Sequence, residues 1–227
     1  MRNATILYYT SNREHPDFEK RIQENLLKVC GDLPIISISQ YPIKLGQNIC
    51  VGDVGASGFN MFRQVEIGLE AATTDFVISA EADCIYPPDY FEFRPPRIDI
   101  AYRNSNLYVM PDHRDFFFKK PEGATHAQIV GRKFYLDTLK KLFKGAPKWS
   151  TDEKNFPKER LRQEDVFLPN QIAYWNSKNP VFQIKTHRSM RYYTHSERIP
   201  IHELPYWGKG KDIRAFYMHG IKEKWSS

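Results

Sequence analysis

The chain contains no run of eighteen apolar residues, so no segment could cross a bilayer as a helix. It opens on Met1-Arg2-Asn3-Ala4 and passes directly into Ile6-Leu7-Tyr8-Tyr9. That start shows no secretory leader, and a soluble, cytoplasmic protein is expected. Cysteine is scarce: Cys30, Cys50 and Cys84 are the only three. They form no C-x-x-C unit, and an odd count argues against a disulfide framework. No G-x-G-x-x-G or Walker sequence occurs, which speaks against a dinucleotide oxidoreductase or a P-loop kinase. Ser57, Ser150 and Ser189 lack a nucleophile-elbow frame, and neither a structural zinc spacing nor a His-Glu-x-x-His unit is present.

What is present suffices for a core. With 227 residues and 41% hydrophobic content the chain fits one compact domain over 1–227. Its charge is split. Residues 1–100 hold 9 Lys+Arg against 14 Asp+Glu, a balance of −5, which leaves 24 against 13, or +11, for residues 101–227. The basic half is either a solvated cationic surface or a surface for phosphate-rich ligands, from a nucleoside diphosphate to a nucleic acid.

The first hundred residues alternate strand and helix patterns. Thr5 to Thr10 predicts a strand, and Pro16 to Cys30 a helix with Phe18, Ile22, Leu26 and Val29 on one side. Ile35 to Ser39 predicts a second strand, followed by a glycine-dotted loop from Tyr41 to Ser57. Ser57 suits the cap of a helix from Gly58 to Ala72, and Phe76 to Ala80 is an apolar run of the kind buried between two helix layers. Strand, helix, strand, helix, strand is the pattern of a parallel α/β unit, which binds ligands at the carboxyl ends of its strands. Glu81-Ala82-Asp83 stands at such an end. Short strand patterns follow at Ile98 to Tyr102, Leu107 to Met110, Phe116 to Lys119 and Gln128 to Val130, expected as a mixed extension of the same sheet. Helices are expected from Arg132 to Phe143 and from Asp165 to about Trp175.

Three groups of side chains could carry chemistry. Alternation puts Glu81 and Asp83 on one face, where they could hold a hard cation or meet a ribose hydroxyl, although acids two apart are also common in surface turns. Glu164-Asp165 precedes Val166-Phe167-Leu168, so it could cap a helix as well as hold a general base. His219, between Phe216-Tyr217-Met218 and Gly220, could ligate a transition metal or be a packed, hydrogen-bonded histidine. His187 and His195 are rival ligands.

Taken together, these residues resemble the GT-A glycosyltransferase superfamily, especially its family-two-like inverting members. The resemblance rests on the opening strand ending Tyr9-Thr10-Ser11-Asn12-Arg13, the Gly58 to Ala72 helix, Glu81-Ala82-Asp83 in the D-x-D place and Arg162-Gln163-Glu164-Asp165 in the x-E-D place. Met218-His219-Gly220 resembles the late metal-binding histidine of that fold, and Val130-Gly131-Arg132 falls where the family keeps an acceptor loop. The resemblance implies a Rossmann-related, mostly parallel sheet flanked by helices, with a nucleotide-sugar-binding half (1–100) and a basic acceptor-binding half (101–227). It further implies metal ligation by Asp83, Glu81 and His219, with Mn2+ or Mg2+ as the ion. Thr10, Asn12, Arg13, Asn60 and Arg63 would line the nucleotide pocket, Glu81 would hold ribose or metal, and Lys209 or Lys211 would neutralise the departing diphosphate. Asp165, beside Glu164, would be the catalytic base. The donor is then a nucleoside-diphosphate sugar, a UDP-sugar by expectation, and the acceptor a saccharide or, given the basic half, a hydroxymethylated base in DNA. Two other readings compete. One is sugar-nucleotide nucleotidyl transfer, for which Thr10-Ser11-Asn12-Arg13-Glu14 lacks the usual glycine-rich loop. The other is a non-catalytic nucleic-acid-binding protein, in which buried acids would be costly.

Overall fold

The computed structural model describes residues 3–152, 166–190 and 196–221. Glu164, Asp165 and His195 lie outside the described residues. The elements run β1 (Ala4–Thr10), α1 (Pro16–Val29), β2 (Ile35–Ser39), β3 (Gln47–Cys50), α2 (Gly58–Ala71), β4 (Phe76–Glu81) and β5 (Cys84–Ile85). They continue with β6 (Ala101–Asn104), β7 (Leu107–Pro111), β8 (Phe118–Lys119), β9 (Gln128–Gly131), α3 (Arg132–Leu142), β10 (Ile172–Trp175), β11 (Val181–Lys185), β12 (Glu203–Leu204), β13 (Gly208–Lys209) and α4 (Gly210–Tyr217).

Seven strands form the main sheet in the order β10-β6-β9-β4-β1-β2-β3. β1 pairs in parallel with both β2 and β4, β2 with β3, and β6 with β10, while β9 runs antiparallel to β4 and β6. The mostly parallel sheet flanked by helices is the layout expected. Because β2 lies on one side of β1 and β4 on the other, the chain reverses its direction of travel across the sheet beside β1. That is where an open α/β sheet leaves a crevice at its carboxyl edge.

Alternation along β1 sorts the core. Ile6 and Tyr8 pack with Leu26, Ile78, Tyr86 and Tyr90 on one face, while Leu7 and Tyr9 pack with Phe59, Phe62, Val65 and Leu69 of α2 and Leu139 of α3 on the other. Each buried Leu, Ile or Phe contributes about 1.5–3 kcal/mol relative to exposure. α2 starts where expected: the Ser57 hydroxyl accepts from the Asn60 amide at 3.0 Å and donates to the Ser150 carbonyl at 2.6 Å. No helix among the described residues is long and apolar enough to cross a membrane.

Three expectations need correction. The loop from Tyr41 to Ser57 contains the edge strand β3. The strands after Pro87-Pro88 do not all extend one sheet, because β7 and β8 join β5 and β11 in a second sheet of order β5-β11-β7-β8. That sheet packs Met110, Phe182 and Ile184 against Phe18 and Ile22 of α1 and Ile213 and Tyr217 of α4. Finally, Val166 to Trp175 is not helical. Pro169–Gln171 makes one short 3-10 turn and Ile172–Trp175 pairs with β6, since a proline followed by β-branched and aromatic residues suits a strand better than a helix.

Gly131 joins β9 to α3 where a Cβ would overlap the Ile98 carbonyl oxygen. Gly131→Ala should therefore force the backbone apart and lower stability by about 1–3 kcal/mol. Equilibrium urea unfolding measures this, and an unchanged midpoint would show that the approach is not limiting.

Candidate active site

An open pocket lies at the carboxyl ends of β1 and β4. β1 contributes Tyr9 and Thr10, the following loop Ser11, Arg13 and Glu14, and the end of β4 Glu81, Ala82 and Asp83. From α2 and its cap come Ser57, Asn60, Met61 and Gln64, spaced as one helical face, and Arg188, Ser189 and Met190 enter from beyond β11.

The α2 side is a framework of hydrogen-bonded amides. Gln64 Nε2 donates to the Thr10 and Ile38 carbonyls at 2.9 and 3.2 Å, and Gln40 Nε2 donates to the Gly55 carbonyl at 2.9 Å. Asn60 Nδ2 holds the Val54 and Gly55 carbonyls at 2.7 and 3.0 Å, while its Oδ1 accepts from the Ser150 amide at 2.7 Å. Gly55 itself has φ +77°, a left-handed turn that lets the backbone form this wall.

The opposite wall is ionic. Both oxygens of Asp83 accept from Gln183 Nε2, at 3.0 and 2.9 Å, and Lys185 Nζ stands 3.5 Å from Oδ2 with both side chains 12% exposed. Gln183 and Lys185 are two apart on β11 and so reach the same face. Glu81 Oε1 accepts from the Tyr9 hydroxyl at 2.9 Å. Glu14 is buried, and its Oε2 accepts from the Thr186 hydroxyl at 2.6 Å. Burial foremost, then the nearby Asp83 charge, push the Glu14 carboxyl from its ordinary 4.5 up to about 7, against the opposing pull of Thr186 and Lys185.

Of the residues named from sequence, Thr10, Arg13, Asn60, Glu81 and Asp83 share this pocket. Others do not line it. Asn12 takes a left-handed turn at φ 54° and its Oδ1 accepts from the Gln40 and Tyr41 amides, both at 2.9 Å, so it clamps two loops behind the wall. Arg63 leaves the pocket face of α2 for Glu66 at 2.8 Å, the Pro147 carbonyl at 2.7 Å and the Phe143 ring at 3.9 Å. Lys209 and Lys211 are exposed at the start of α4. His219 is exposed and lines a different cavity with Asp112, His113, Arg214 and Met218, and its carbonyl accepts from Arg21 at 2.8 Å.

The metal set inferred from sequence therefore does not assemble among the described residues. Glu81 and Asp83 share the pocket, but Asp83 is already paired with an ammonium and an amide and His219 lines a different cavity. A hard divalent ion at Asp83 would meet the Lys185 charge directly. Sequence reasoning missed Glu14, Gln64, Gln183, Lys185 and Arg188. The only local signal was the alternation of Gln183 and Lys185 in an otherwise apolar strand.

The chain matches no protein-family model and no curated protein. Among solved structures it aligns with S. aureus TarS 1-349 in complex with UDP-GlcNAc, at 11% identity and TM-score 0.46, over 84% of this chain and 62% of that one. It also aligns with the glycosyltransferase GlyE of Streptococcus pneumoniae TIGR4, at 9% identity and TM-score 0.46, over 76% of this chain and 44% of that one. A third alignment is with a glycosyltransferase involved in the glycosylation of the major capsid of PBCV-1, at 13% identity and TM-score 0.43, over 76% and 81%. The chain spans 60% of the length of S. aureus TarS 1-349. At such identities and scores, what the pocket does has to come from its own residues.

The raised Glu14 carboxyl makes stability depend on pH. Below its ordinary 4.5 the group is protonated folded or unfolded; between 4.5 and about 7 the folded state holds the extra proton, so stability falls as pH rises through that window. Glu14→Gln should thus stabilise the protein at pH 8 by up to about 3 kcal/mol and have much less effect at pH 4.5. Chemical unfolding at the two pH values checks this, and an equal effect at both would contradict the burial of an ionising group.

Proposed function

We propose that the chain transfers a sugar from a nucleoside-diphosphate sugar to an acceptor hydroxyl, as an inverting glycosyltransferase. The observation that carries this reading is the division of one switch-point pocket into an amide-lined slot and a charged wall. The slot formed by Thr10, Gln40, Asn60 and Gln64 suits a nucleoside because its amides, tied to backbone carbonyls, hold a wall of fixed shape against which a base and ribose can pack. Arg13 and Arg188, both on the pocket lining, suit the diphosphate, because guanidinium forks pair with phosphate oxygens in a bidentate manner. Asp83 and Glu81 then stand where the sugar hydroxyls would lie.

Arg13 and Arg188 supply the positive charge that offsets the negative charge growing on the diphosphate as its oxygen parts from the anomeric carbon. The acceptor hydroxyl attacks the anomeric carbon from the opposite face and its proton passes to a carboxylate, for which Asp165 is the candidate that the resemblance supplies. Nucleoside diphosphate leaves. A UDP donor and a saccharide acceptor are the simplest forms of this proposal.

Incubation with a panel of sugar nucleotides, recording binding by calorimetry and slow release of nucleoside diphosphate, tests the reading; a panel that is neither bound nor hydrolysed would overturn it. Arg188→Ala should weaken binding of the selected donor by about 10–100-fold, the worth of a hydrogen bond to a charged group. Asp165→Asn should leave donor binding intact while transfer falls by about a hundredfold or more. Unchanged transfer would remove Asp165 from the role of base.

A further inference from the structure

Directly behind the charged wall, Glu81, Cys84 and His126 bring a carboxylate oxygen, a thiol sulfur and an imidazole nitrogen to within 4.8 Å of one another. They come from the end of β4, the start of β5 and the turn before β9, segments held together by the Tyr86 hydroxyl, which accepts from the Glu81 amide at 3.0 Å and donates to the His126 carbonyl at 2.7 Å. His126 and Cys84 are buried, at 6% and 1% exposure. His126 Nε2 is enclosed and has no hydrogen-bond partner. A buried ring nitrogen without a partner is costly unless something else satisfies it.

We infer that Glu81, Cys84 and His126 bind a transition-metal ion of the zinc type. The donor chemistry points to that class: one sulfur, one imidazole and one carboxylate make a set that zinc or cobalt takes and that magnesium does not. The spacing is compatible. A point central to three atoms 4.8 Å apart is about 2.8 Å from each, so every ligand closes by less than about 1 Å to reach the usual 2.0–2.3 Å. Burial, together with the cations Lys120, Lys185 and Arg103, keeps His126 neutral, which is the form that coordinates. Cys84 donates to Asp83 Oδ1 at 3.3 Å, and on binding its thiol proton leaves for solvent, so uptake should strengthen as pH rises.

Such an ion would tie the ends of β4, β5 and β9 at one point and fix the backbone from which Glu81 and Asp83 enter the pocket. The inference does not depend on what the pocket binds. It also differs from the hard-cation site expected at Asp83, because a thiolate and an imidazole replace the second carboxylate and His219.

Cobalt(II) titration of the chelator-treated full chain tests it. Wild-type protein should take one equivalent per chain and develop a near-ultraviolet thiolate-to-cobalt band with visible bands of tetrahedral intensity. Cys84→Ser should lose the near-ultraviolet band, His126→Gln should weaken binding tenfold or more, and Cys50→Ser, which alters the exposed thiol, should retain both. A wild-type spectrum without the band overturns the inference by itself, whether or not Cys84→Ser folds. A band that survives Cys84→Ser and vanishes in Cys50→Ser overturns it equally.

Discussion

The Asp83 carboxylate fastens the two larger sheets of the molecule to each other. It follows β4 of the main sheet by two residues and precedes β5 of the second, and both its oxygens accept from Gln183 on β11 while Lys185 neutralises it. The Asp83 carbonyl also accepts from the Ile184 amide at 2.9 Å, so backbone and side chain clasp the same strand. A buried charge held this way is expensive to orphan, by about 3–5 kcal/mol. The pocket exists because this clasp closes one side of the crevice that the reversal at β1 opens on the other.

The same clasp sets the electrostatics. Lys185 sits between the Asp83 and Glu14 carboxyls and offsets both, yet burial still leaves Glu14 with a midpoint of about 7. Perturbed carboxyls of this kind gather where a site must hold or move protons. Arg13 and Arg188 both stand on the pocket's lining, where the Arg188 guanidinium donates to the Arg13 carbonyl at 3.4 Å.

Much of the scaffold is legible in the sequence because its signals are local. Phe18, Ile22 and Leu26, or Phe62, Val65 and Leu69, announce helices by spacing, and the unbroken run Phe76 to Ala80 announces a strand covered on both faces. Ser57 capping α2 is equally local. Sheet membership is not, since Leu107 to Met110 reads as a strand with or without knowledge that its neighbour is β11, some seventy residues later. The site divides the same way. Glu81 and Asp83 are visible from their place after an apolar strand, whereas Glu14 becomes a site residue only through Thr186, and Asp83 acquires its partners from Gln183 and Lys185. Arg63 misleads because it is next to Gln64 in sequence but rotated about 100° from it on the helix, which sends it to Glu66 and Phe143 and not to the pocket.

The most direct measurement is a crystal structure of the full chain with a non-hydrolysable sugar nucleotide. The account predicts the nucleoside in the slot beside Gln40, Asn60 and Gln64, the diphosphate against Arg13 and Arg188, and the sugar facing Asp83. A ligand seated in the cavity beside His219 instead, or a switch-point pocket left empty at saturating concentration, would contradict it.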